Sequence, residues 1–386
     1  MSINKVVIVG GGMVGAACAL KLAKQGKSVT VIEQHIIDPE RVLASEQVDI
    51  RVSAINRFSE QLLDDLGAMA LLRQSRVAQY TQLEAYEEVP EQLLFDSAEL
   101  GSTHLGHLVE NKLIQAALWA QFDHHGIEVH SPAGQAKQLI ETDTSATLVY
   151  EDRQFEADLV IAADGGRSHI RQLAGIGVTG WQYQQHCMGV LIKLDAPQQS
   201  KTWQQFKPSG PIAFLPMHYP YANLIWYDEG TKLKAMQQLD KDALKTQIID
   251  HFFALPGEFE IVESAVFPLT RQHANTYIAK RLALVGDAAH TINPLAGQGV
   301  NLGFKDVVAL AHALEESEVL ATALKRYQRR RRGDNLLMMS MMDACYFGFS
   351  NSVSPLKTLR NVVLSAANKA GPLKQQVLKH AMGGIT

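Results

Sequence analysis

Short apolar runs that end in glycine or aspartate recur along the chain and predict buried strands. The first run, residues 6–9, enters the turn 10–15, which reads Gly-Gly-Gly-Met-Val-Gly. Residues 13–25 tolerate a helix and carry apolar side chains on one side. Residues 28–32 predict a second strand, which ends at Glu33. The pattern is typical of the strand–turn–helix–strand unit that opens a Rossmann-like α/β fold.

The turn supplies the spacing G-x-G-x-x-G, with glycines at Gly10, Gly12 and Gly15. Glycines let the backbone approach a pyrophosphate, and the free amides and dipole at the helix start stabilise its negative charge. Glu33 lies near the offset of about 20 residues at which an acidic side chain meets a ribose hydroxyl. The spacing alone also fits an ordinary strand-to-helix turn. Together with the strands, the helix and Glu33, it predicts dinucleotide binding.

Two later strand ends carry further motifs. Residues 159–163 predict a buried strand that runs into D-G-x-x-S-x-x-R at 164–171. Residues 282–285 predict another, which runs into G-D-A-A-H-x-x-x-P-x-x-G-Q-G-x-N at 286–301. An aspartate at a strand end can accept hydrogen bonds from ribitol hydroxyls, and a glycine-rich turn offers amides to a reduced flavin edge. Each motif alone fits a structural Asp-Gly turn, but their joint order predicts that three strand ends hold one FAD.

The three motifs in this order resemble the flavoprotein aromatic hydroxylases of the para-hydroxybenzoate hydroxylase type, and the likeness covers nearly the whole chain. The runs D-I-R-V-S-A-I at 49–55, V-E-N at 109–111 and T-I-N-P-L-A-G-Q-G-V-N-L-G at 291–303 are similar to the ubiquinone-biosynthesis branch of that family. The runs W-Q-Q-F at 203–206 and Y-F-G-F-S-N at 346–351 are similar to members that hydroxylate a methoxylated polyprenyl benzoquinol.

The resemblance implies roles for the residues at matching positions. Residues that would bind FAD are Gly10, Gly12, Gly15, Glu33, Arg51, Asn111, Asp164, Gly286, Asp287, Gly299 and Asn301. Pro294, Gly297 and Gln298 would border the catalytic edge of the isoalloxazine ring, with no side-chain acid or base assigned. Asn293 stands where many relatives place His before the proline, which weakens a catalytic-base role at this position. No metal site is predicted.

The resemblance also implies the reaction. NAD(P)H would reduce FAD, O2 would add at the flavin C4a position, and the resulting hydroperoxide would hydroxylate the ring of a polyprenylated benzoquinol in ubiquinone biosynthesis. The chain has no second unit in which G-x-G-x-x-G joins a buried strand to a helix, which agrees with a family that binds NAD(P)H without a dedicated domain. In such enzymes the protein orients the ring and excludes water. A non-catalytic FAD-binding scaffold and another flavin-dependent oxidoreductase stay open as alternatives.

Strand-like segments between the motifs predict a β-sheet that covers the flavin. We expect an α/β fold of mixed helix and sheet, with a Rossmann-like FAD-binding domain, an inserted β-sheet substrate domain and C-terminal helices. The predicted boundaries are 1–75, 103–181 and 273–330 for the FAD-binding domain, 76–102 and 182–272 for the substrate domain, and 331–386 for the helical segment. Phe214 and Trp226 are candidates for the substrate pocket, with filling of the sheet core as the alternative.

Composition and charge exclude some classes of protein. The 386 residues are 46% apolar, which is enough for one large core or two smaller ones. The balance of 36 basic and 40 acidic residues gives no electrostatic signature for nucleic acid. The separated cysteines suggest reduced thiols, and no apolar run approaches the roughly 18 residues that cross a bilayer. We therefore predict a cytoplasmic protein.

The carboxyl end raises the question of how a lipid substrate reaches the site. Arginines and lysines at 325–332 precede an apolar, lysine-bearing segment at 336–379. This pattern fits a basic amphipathic helix at the inner membrane, and it also fits a helix that packs its apolar face on the core. Because burial of each CH2 of a polyprenyl tail is worth about 0.8 kcal/mol, we expect a lipid surface or another ubiquinone-biosynthesis protein to hand over the substrate.

Overall fold

The structure, a computed structural model, describes residues 3–88, 91–252, 255–293, 297, 299–349, 371, 374 and 383. The strands are β1 Lys5–Val9, β2 Ser28–Ile32, β3 Val52–Asn56, β4 Val77–Tyr80, β5 Gln82–Glu88, β6 Glu91–Asp96, β7 Gly106–Glu110, β8 Glu128–His130, β9 Gln138–Glu141, β10 Ala146–Val149, β11 Gln154–Ala157, β12 Leu159–Ala162, β13 Val178–Asp195, β14 Lys201–Gln205, β15 Ile212–Pro216, β16 Tyr221–Glu229, β17 Glu258–Ala274, β18 Leu282–Leu284 and β19 His290–Thr291. The α-helices are α1 Met13–Lys24, α2 Pro39–Ala44, α3 Arg57–Asp65, α4 Ala68–Gln74, α5 Asn111–Trp119, α6 His169–Leu173, α7 Gly230–Gln237, α8 Lys241–His251, α9 Gly299–Glu315 and α10 Leu320–Phe349. Short 3-10 helices lie at Ser97–Leu100, Asp123–His125 and Gly286–Ala288.

Five parallel strands form the sheet that carries the motif turns, in the order β18-β12-β1-β2-β8. Its central strands are buried on both faces, which explains why their sequences are continuous apolar runs. In the register of the sheet, Val9 on β1 lies beside Ala162 on β12 and Ile32 on β2. Ala162 in turn lies beside Leu284 on β18. The turns that follow these residues therefore meet at the carboxyl edge of one sheet.

The second large sheet has eight strands, in the order β19-β17-β13-β16-β15-β14-β5-β6. Successive side chains of a strand point to opposite faces. On β16, Leu224 and Trp226 pack in a core cluster with residues of α7 and α8. Asn223 points the other way and donates from Nδ2 to the carbonyl oxygen of Ile50 at 2.6 Å, just before β3. We call this second side, which carries Asn223, the inner face of the sheet.

The arrangement of the two sheets confirms the predicted fold class of mixed helix and sheet. Apart from β19, the strands of the eight-stranded sheet lie at 82–96 and 178–274, between the segments that build the parallel sheet. The strand β4 pairs with β7 in a separate sheet of the order β3-β7-β4. The helix α10 runs without a break across residue 330. The exact domain boundaries remain predictions.

Helix length and composition bear on the membrane question. None of the helices in the described part of the chain is both long enough and apolar enough for a bilayer crossing. Of the predicted amphipathic segment at 336–379, residues 336–349 form the end of α10, and nearly all of the remainder lies outside the described residues.

Candidate functional site

A cavity of about 470 Å³ opens at the carboxyl edge of the parallel sheet, where the motif turns meet. Residues of the first two motifs line it, together with the residue that follows β2: Gly10, Gly12, Glu33, Asp164, Gly165 and Arg167. Ligands of open α/β sheets bind at this edge, outside the carboxyl ends of the strands. The location is therefore the one expected for a dinucleotide.

The glycines of the first turn are required for two different reasons. Gly10 has a φ of +100°, and a Cβ there would lie 2.4 Å from the carbonyl oxygen of Ala163. A Cβ on Gly15 would lie 1.9 Å from the carbonyl oxygen of Gly10, so α1 packs directly on the turn. A Cβ on Gly12 would meet no atom within 4 Å. Gly12 thus leaves open space at the amino end of α1, where backbone amides stabilise a phosphate.

Glu33 is held in a fixed position at the end of β2. Its Oε2 accepts a hydrogen bond from the Gly11 amide at 2.5 Å. Its Oε1 accepts from the amides of Gln34 and His35 at 2.8 and 3.0 Å. A carboxylate oxygen has two lone pairs, so Oε2 keeps acceptor capacity for a ribose hydroxyl at the wall of the cavity.

Asp164 lies at the cavity, but its carboxylate also caps α6. It accepts hydrogen bonds from the Ser168 hydroxyl at 2.5 Å and from the amides of His169 and Ile170 at 2.7 and 3.1 Å. The arginine of the same motif, Arg171, is buried and donates to the Ala288 and Gly166 carbonyl oxygens at 2.8 and 3.0 Å. Asp164 therefore has a structural role here, and Arg171 ties the second motif to the third. The cofactor contact of Asp164 stays a prediction.

Arg51 and Asp287, which lie far apart in the sequence, come close together beside the third motif. The Asp287 side chain is exposed at its turn, yet the surrounding protein displaces enough water to raise the pKa of its carboxyl, an effect opposed by the charges of His290 and Arg51. The carbonyl oxygen of Arg51 accepts a hydrogen bond from the Asn111 amide at 2.9 Å. The side-chain oxygen of Asn111 accepts one from Ser53 at 2.7 Å. Arg51, Asn111 and Asp287, which are predicted to bind the cofactor, thus lie near one another.

A buried ion-pair network under the third motif was missed in the sequence. Asp306 on α9 is fully buried and accepts hydrogen bonds from the Gly286 amide at 3.1 Å and from Arg331 Nε at 2.9 Å. His290 Nε2 lies 2.5 Å from the same carboxylate. Burial raises the pKa of Asp306, but its interactions with His290, Arg331 and Asn335 outweigh burial and hold the pKa below its usual range. The motif turn is therefore anchored to both α9 and α10, and His290 has a structural partner.

Asn301 fixes the glycine-rich turn against β3. Its Oδ1 accepts hydrogen bonds from the Asn56 amide at 3.1 Å and the Ser59 hydroxyl at 2.6 Å. Its Nδ2 donates to the carbonyl oxygens of Ala54 and Gly297 at 2.9 and 3.2 Å. Each polar atom of this side chain therefore has a protein partner. This placement favours a positioning role, and direct contact with a cofactor stays a prediction.

The residues predicted to border the flavin ring are described only in part. Gly297 has a φ of +60°, which favours glycine, and Gly299 begins α9. The Asn301 contact to Gly297 places this turn beside β3. Pro294 and Gln298 lie outside the described residues, so their roles stay predictions.

Phe214 and Trp226 lie in the core between the eight-stranded sheet and the helices α7 and α8. They are 1% and 2% exposed, and the Trp226 ring stacks on His251 at a centroid distance of 4.1 Å. This placement favours core filling over the predicted substrate pocket. The inner face instead carries a cluster that we call the Tyr183 cluster, which contains Tyr183, Cys187, Tyr227, Leu269 and, from α10, Tyr346.

Glu60, His104 and His107 have the spacing of metal ligands, but an arginine already lies among them. The Arg57 guanidinium donates to Glu60 Oε2 at 2.6 Å and lies against His104 Nε2. Burial raises the pKa of Glu60, yet the hydrogen bond from His104 and the charges of His107, His104 and Arg57 hold that pKa at about 2. Because Arg57 balances the carboxylate charge, we interpret this cluster as structural.

Comparisons with known proteins show similarity to FAD-binding hydroxylases over all the residues that form the site. Residues 4–335 match the family model described as an FAD binding domain. The chain is 44% identical to a 3-demethoxyubiquinol 3-hydroxylase of Escherichia coli over 98% of both chains. It is 33% identical to the ubiquinone hydroxylase UbiL of Rhodospirillum rubrum over 98% of this chain and 90% of that protein. The fold is similar to that of a p-nitrophenol 4-monooxygenase from Pseudomonas putida, with a TM-score of 0.80, 20% identity and 99% of each chain covered.

Proposed function

The chain belongs to the FAD-dependent hydroxylases of the ubiquinone-biosynthesis family, and we propose that it is an NAD(P)H-dependent monooxygenase acting on the ring of a polyprenylated benzoquinol. One oxygen atom of O2 would replace a ring hydrogen as a hydroxyl group, the other would leave as water, and NAD(P)H would supply two electrons. The observation that carries the proposal is the convergence of three motif turns at one sheet edge in a chain 44% identical to such an enzyme over 98% of its length.

The residues of the cavity fit FAD. Gly12 leaves the open space that a pyrophosphate needs, and Glu33 offers acceptors for the ribose of the adenosine half. Arg51 and Asp287 lie together beside the third motif, where they would hold the opposite half of the cofactor. Bound FAD would supply hydride acceptance and oxygen activation. The chain itself would orient the ring and keep water away from it, and the Tyr183 cluster on the inner face is suited to both tasks.

The substrate is taken from the relative in Escherichia coli, whose name states 3-demethoxyubiquinol. A quinol ring bears electron-donating oxygens, so it reacts with an electrophilic oxygen without a metal or a strong base from the protein. At 44% identity over almost the full length, the same ring is the best-supported substrate for this chain.

A peripheral contact with a lipid surface is part of the proposal. Leu337 and Met341, one helical turn apart on α10, are 63% and 47% exposed. The basic run before them is only partly available to lipid headgroups, because Arg331 is buried against Asp306 and Arg330 pairs with Glu316. The exposed apolar side chains would receive a polyprenyl tail from a bilayer or from a partner enzyme.

Isotope labelling tests the function. The purified yellow protein, given NADH or NADPH, a short-chain demethoxyubiquinol and 18O2, should form a product that carries one 18O atom. A strain that lacks the gene should accumulate the unhydroxylated quinol in mass spectra. Retained FAD without any labelled product would support the scaffold alternative. Quinol-independent oxidation of NAD(P)H, with all oxygen recovered as H2O2, would support a different oxidoreductase.

A single methyl group at Gly12 should separate cofactor binding from folding. Because the Gly12→Ala methyl group would meet no protein atom, the variant should fold, with only the small loss of stability expected when alanine replaces glycine at the N-cap of α1. The methyl group would occupy space needed by the pyrophosphate, so the dissociation constant of FAD should rise about tenfold, which corresponds to about 1.4 kcal/mol. Fluorescence titration of the apoprotein with FAD measures this change. Gly333→Ala on α10, where a Cβ also meets open space, is the matched control and should bind FAD normally.

A further inference from the structure

Asn293 is a buried polar side chain without a protein partner at the point where the chain enters the flavin-edge motif. It is 1% exposed, and neither Oδ1 nor Nδ2 has a hydrogen-bond partner among the residues that the structure describes. Buried amides without partners are rare, because a donor or acceptor that loses its water and gains no hydrogen bond in the protein destabilises the fold. The residue lies two positions after the end of β19 and precedes the turn at Gly297. A partner that arrives with a ligand would explain this arrangement.

The neighbour of Asn293 on the inner face is Tyr183, and its hydroxyl is already oriented. It donates its proton to Asp343 Oδ1. Asp343 Oδ2 accepts from Arg271 Nε at 2.7 Å, and the Arg271 guanidinium lies 4.4 Å from the centre of the Trp181 ring. Burial and the hydrogen bond to Asp343 raise the pKa of Tyr183, so it stays a neutral phenol. With its proton committed, the Tyr183 oxygen can act toward Asn293 only as an acceptor.

The donor and acceptor roles of Tyr183 and Asn293 determine the orientation of the Asn293 carboxamide. Tyr183 lies near Asn293, without a hydrogen bond between them in the present geometry. The favourable arrangement turns the NH2 group of Asn293 toward the Tyr183 oxygen and leaves Oδ1 free to accept a further hydrogen bond. The side chains packed around Tyr183 are aromatic and apolar, because they belong to the Tyr183 cluster. A single fixed acceptor among apolar walls is the usual means of orienting an aromatic ligand.

We propose that Asn293 Oδ1 accepts a hydrogen bond from a ring hydroxyl of the quinol and thereby sets the orientation of the ring. Tyr183, Asp343 and Arg271 are positioning residues that act through Asn293. The inference rests on the proposed function, because it assumes a hydroxylated ring as the ligand. In this proposal Asn293 orients the ring and does not act as a base. A carboxamide does not take up a proton near neutral pH, so this contact holds the hydroxyl without removing its proton.

The variant Asn293→Leu keeps the side-chain volume and removes both polar atoms. We expect its dissociation constant for a short-chain demethoxyubiquinol, read from the perturbation of the bound flavin spectrum, to rise about tenfold. The fraction of NAD(P)H oxidation coupled to hydroxylation should fall several-fold, with the balance released as H2O2. The melting temperature of the apoprotein should rise, since an unpartnered buried amide is replaced by an apolar group. A residue with a merely structural role would lower it.

Tyr183→Phe tests whether the positioning residues act through Asn293. Alone it should weaken quinol binding about threefold, and the double variant with Asn293→Leu should be no worse than Asn293→Leu, because the two residues share one interaction. Tyr219→Phe, which removes a hydroxyl from a side chain that is 57% exposed, is the control and should match the unmodified protein. If Asn293→Leu does not fold, Asn293→Ala replaces it.

Three results would overturn the inference. The first is normal quinol binding and coupling in Asn293→Leu. The second is weaker FAD binding with normal quinol binding in Asn293→Leu, which would assign the carboxamide to the cofactor. The third is additivity of the two effects in the double variant. Failure of the unmodified protein to bind or hydroxylate any quinol would instead remove the proposed function. The two failures are therefore distinguishable.

Discussion

Replacing Asp306 with alanine should lower the free energy of unfolding by about 3–5 kcal/mol. The carboxylate is fully buried, and it compensates the charge of Arg331, which is also buried. It further accepts hydrogen bonds from His290, Asn335 and the Gly286 amide. Removal of one partner leaves a buried guanidinium without a counter-charge, which costs far more than the pair itself contributes.

Urea unfolding of the apoprotein and of Asp306→Ala measures this loss. Glu316→Ala is the matched control, because Glu316 pairs with Arg326 and Arg330 at an exposed site, where the solvent screens the interaction. We expect little change in the control. Equal destabilisation by the two variants would mean that the network under the third motif does not hold α9 and α10 together.

The strands at the motif turns could be predicted from the sequence because their physics is local. A strand buried on both faces must be apolar throughout, and it must end where a turn needs glycine or aspartate. The predicted strand at 28–32 matches β2, Ser28–Ile32, and the predicted helix at 13–25 matches α1, Met13–Lys24, within one residue. Parallel pairing then brings the carboxyl ends together, so the convergence of the three motifs followed from their order.

The faces of the eight-stranded sheet could not be predicted in the same way. Phe214 and Trp226 are aromatic, as pocket residues often are, but so are the residues of the Tyr183 cluster on the inner face. Which face receives α7 and α8 depends on the register of strands distant in sequence. A shift by one residue would exchange the two sets of side chains. The sequence shows that side chains alternate between the two faces, but it does not show which face packs against α7 and α8.

The ion pair between Asp306 and Arg331 was hidden for a related reason. Arg331 belongs to a run of four arginines, which is typical of an exposed or membrane-facing helix. Only the packing of α10 on α9 turns this one side chain inward, while Arg330 reaches Glu316. Asp306, for its part, lies in a helix five residues beyond the third motif, with no spacing that marks it. Tertiary contacts decided both assignments.

Asp287→Ala should weaken FAD binding by one or more powers of ten while leaving the fold intact. The Asp287 side chain is exposed at its turn, close to Arg51, and it is predicted to accept hydrogen bonds from the cofactor. Loss of a charged acceptor is worth about 1–3 kcal/mol, and each 1.4 kcal/mol corresponds to about tenfold in affinity. Titration of the apoprotein with FAD, followed by flavin fluorescence, gives the dissociation constant.

Asp287→Asn separates the charge of this residue from its hydrogen bonds. The amide keeps one acceptor oxygen, so its affinity for FAD should fall between those of the alanine variant and the unmodified protein. Asp152→Ala, at an exposed aspartate paired with Arg153, controls for the loss of a carboxylate elsewhere and should bind FAD normally. If Asp287→Ala also binds FAD normally, the third motif turn does not contact the cofactor. The acceptors for the ribityl chain would then have to come from the first two turns, where the Asp164 carboxylate is already engaged in capping α6.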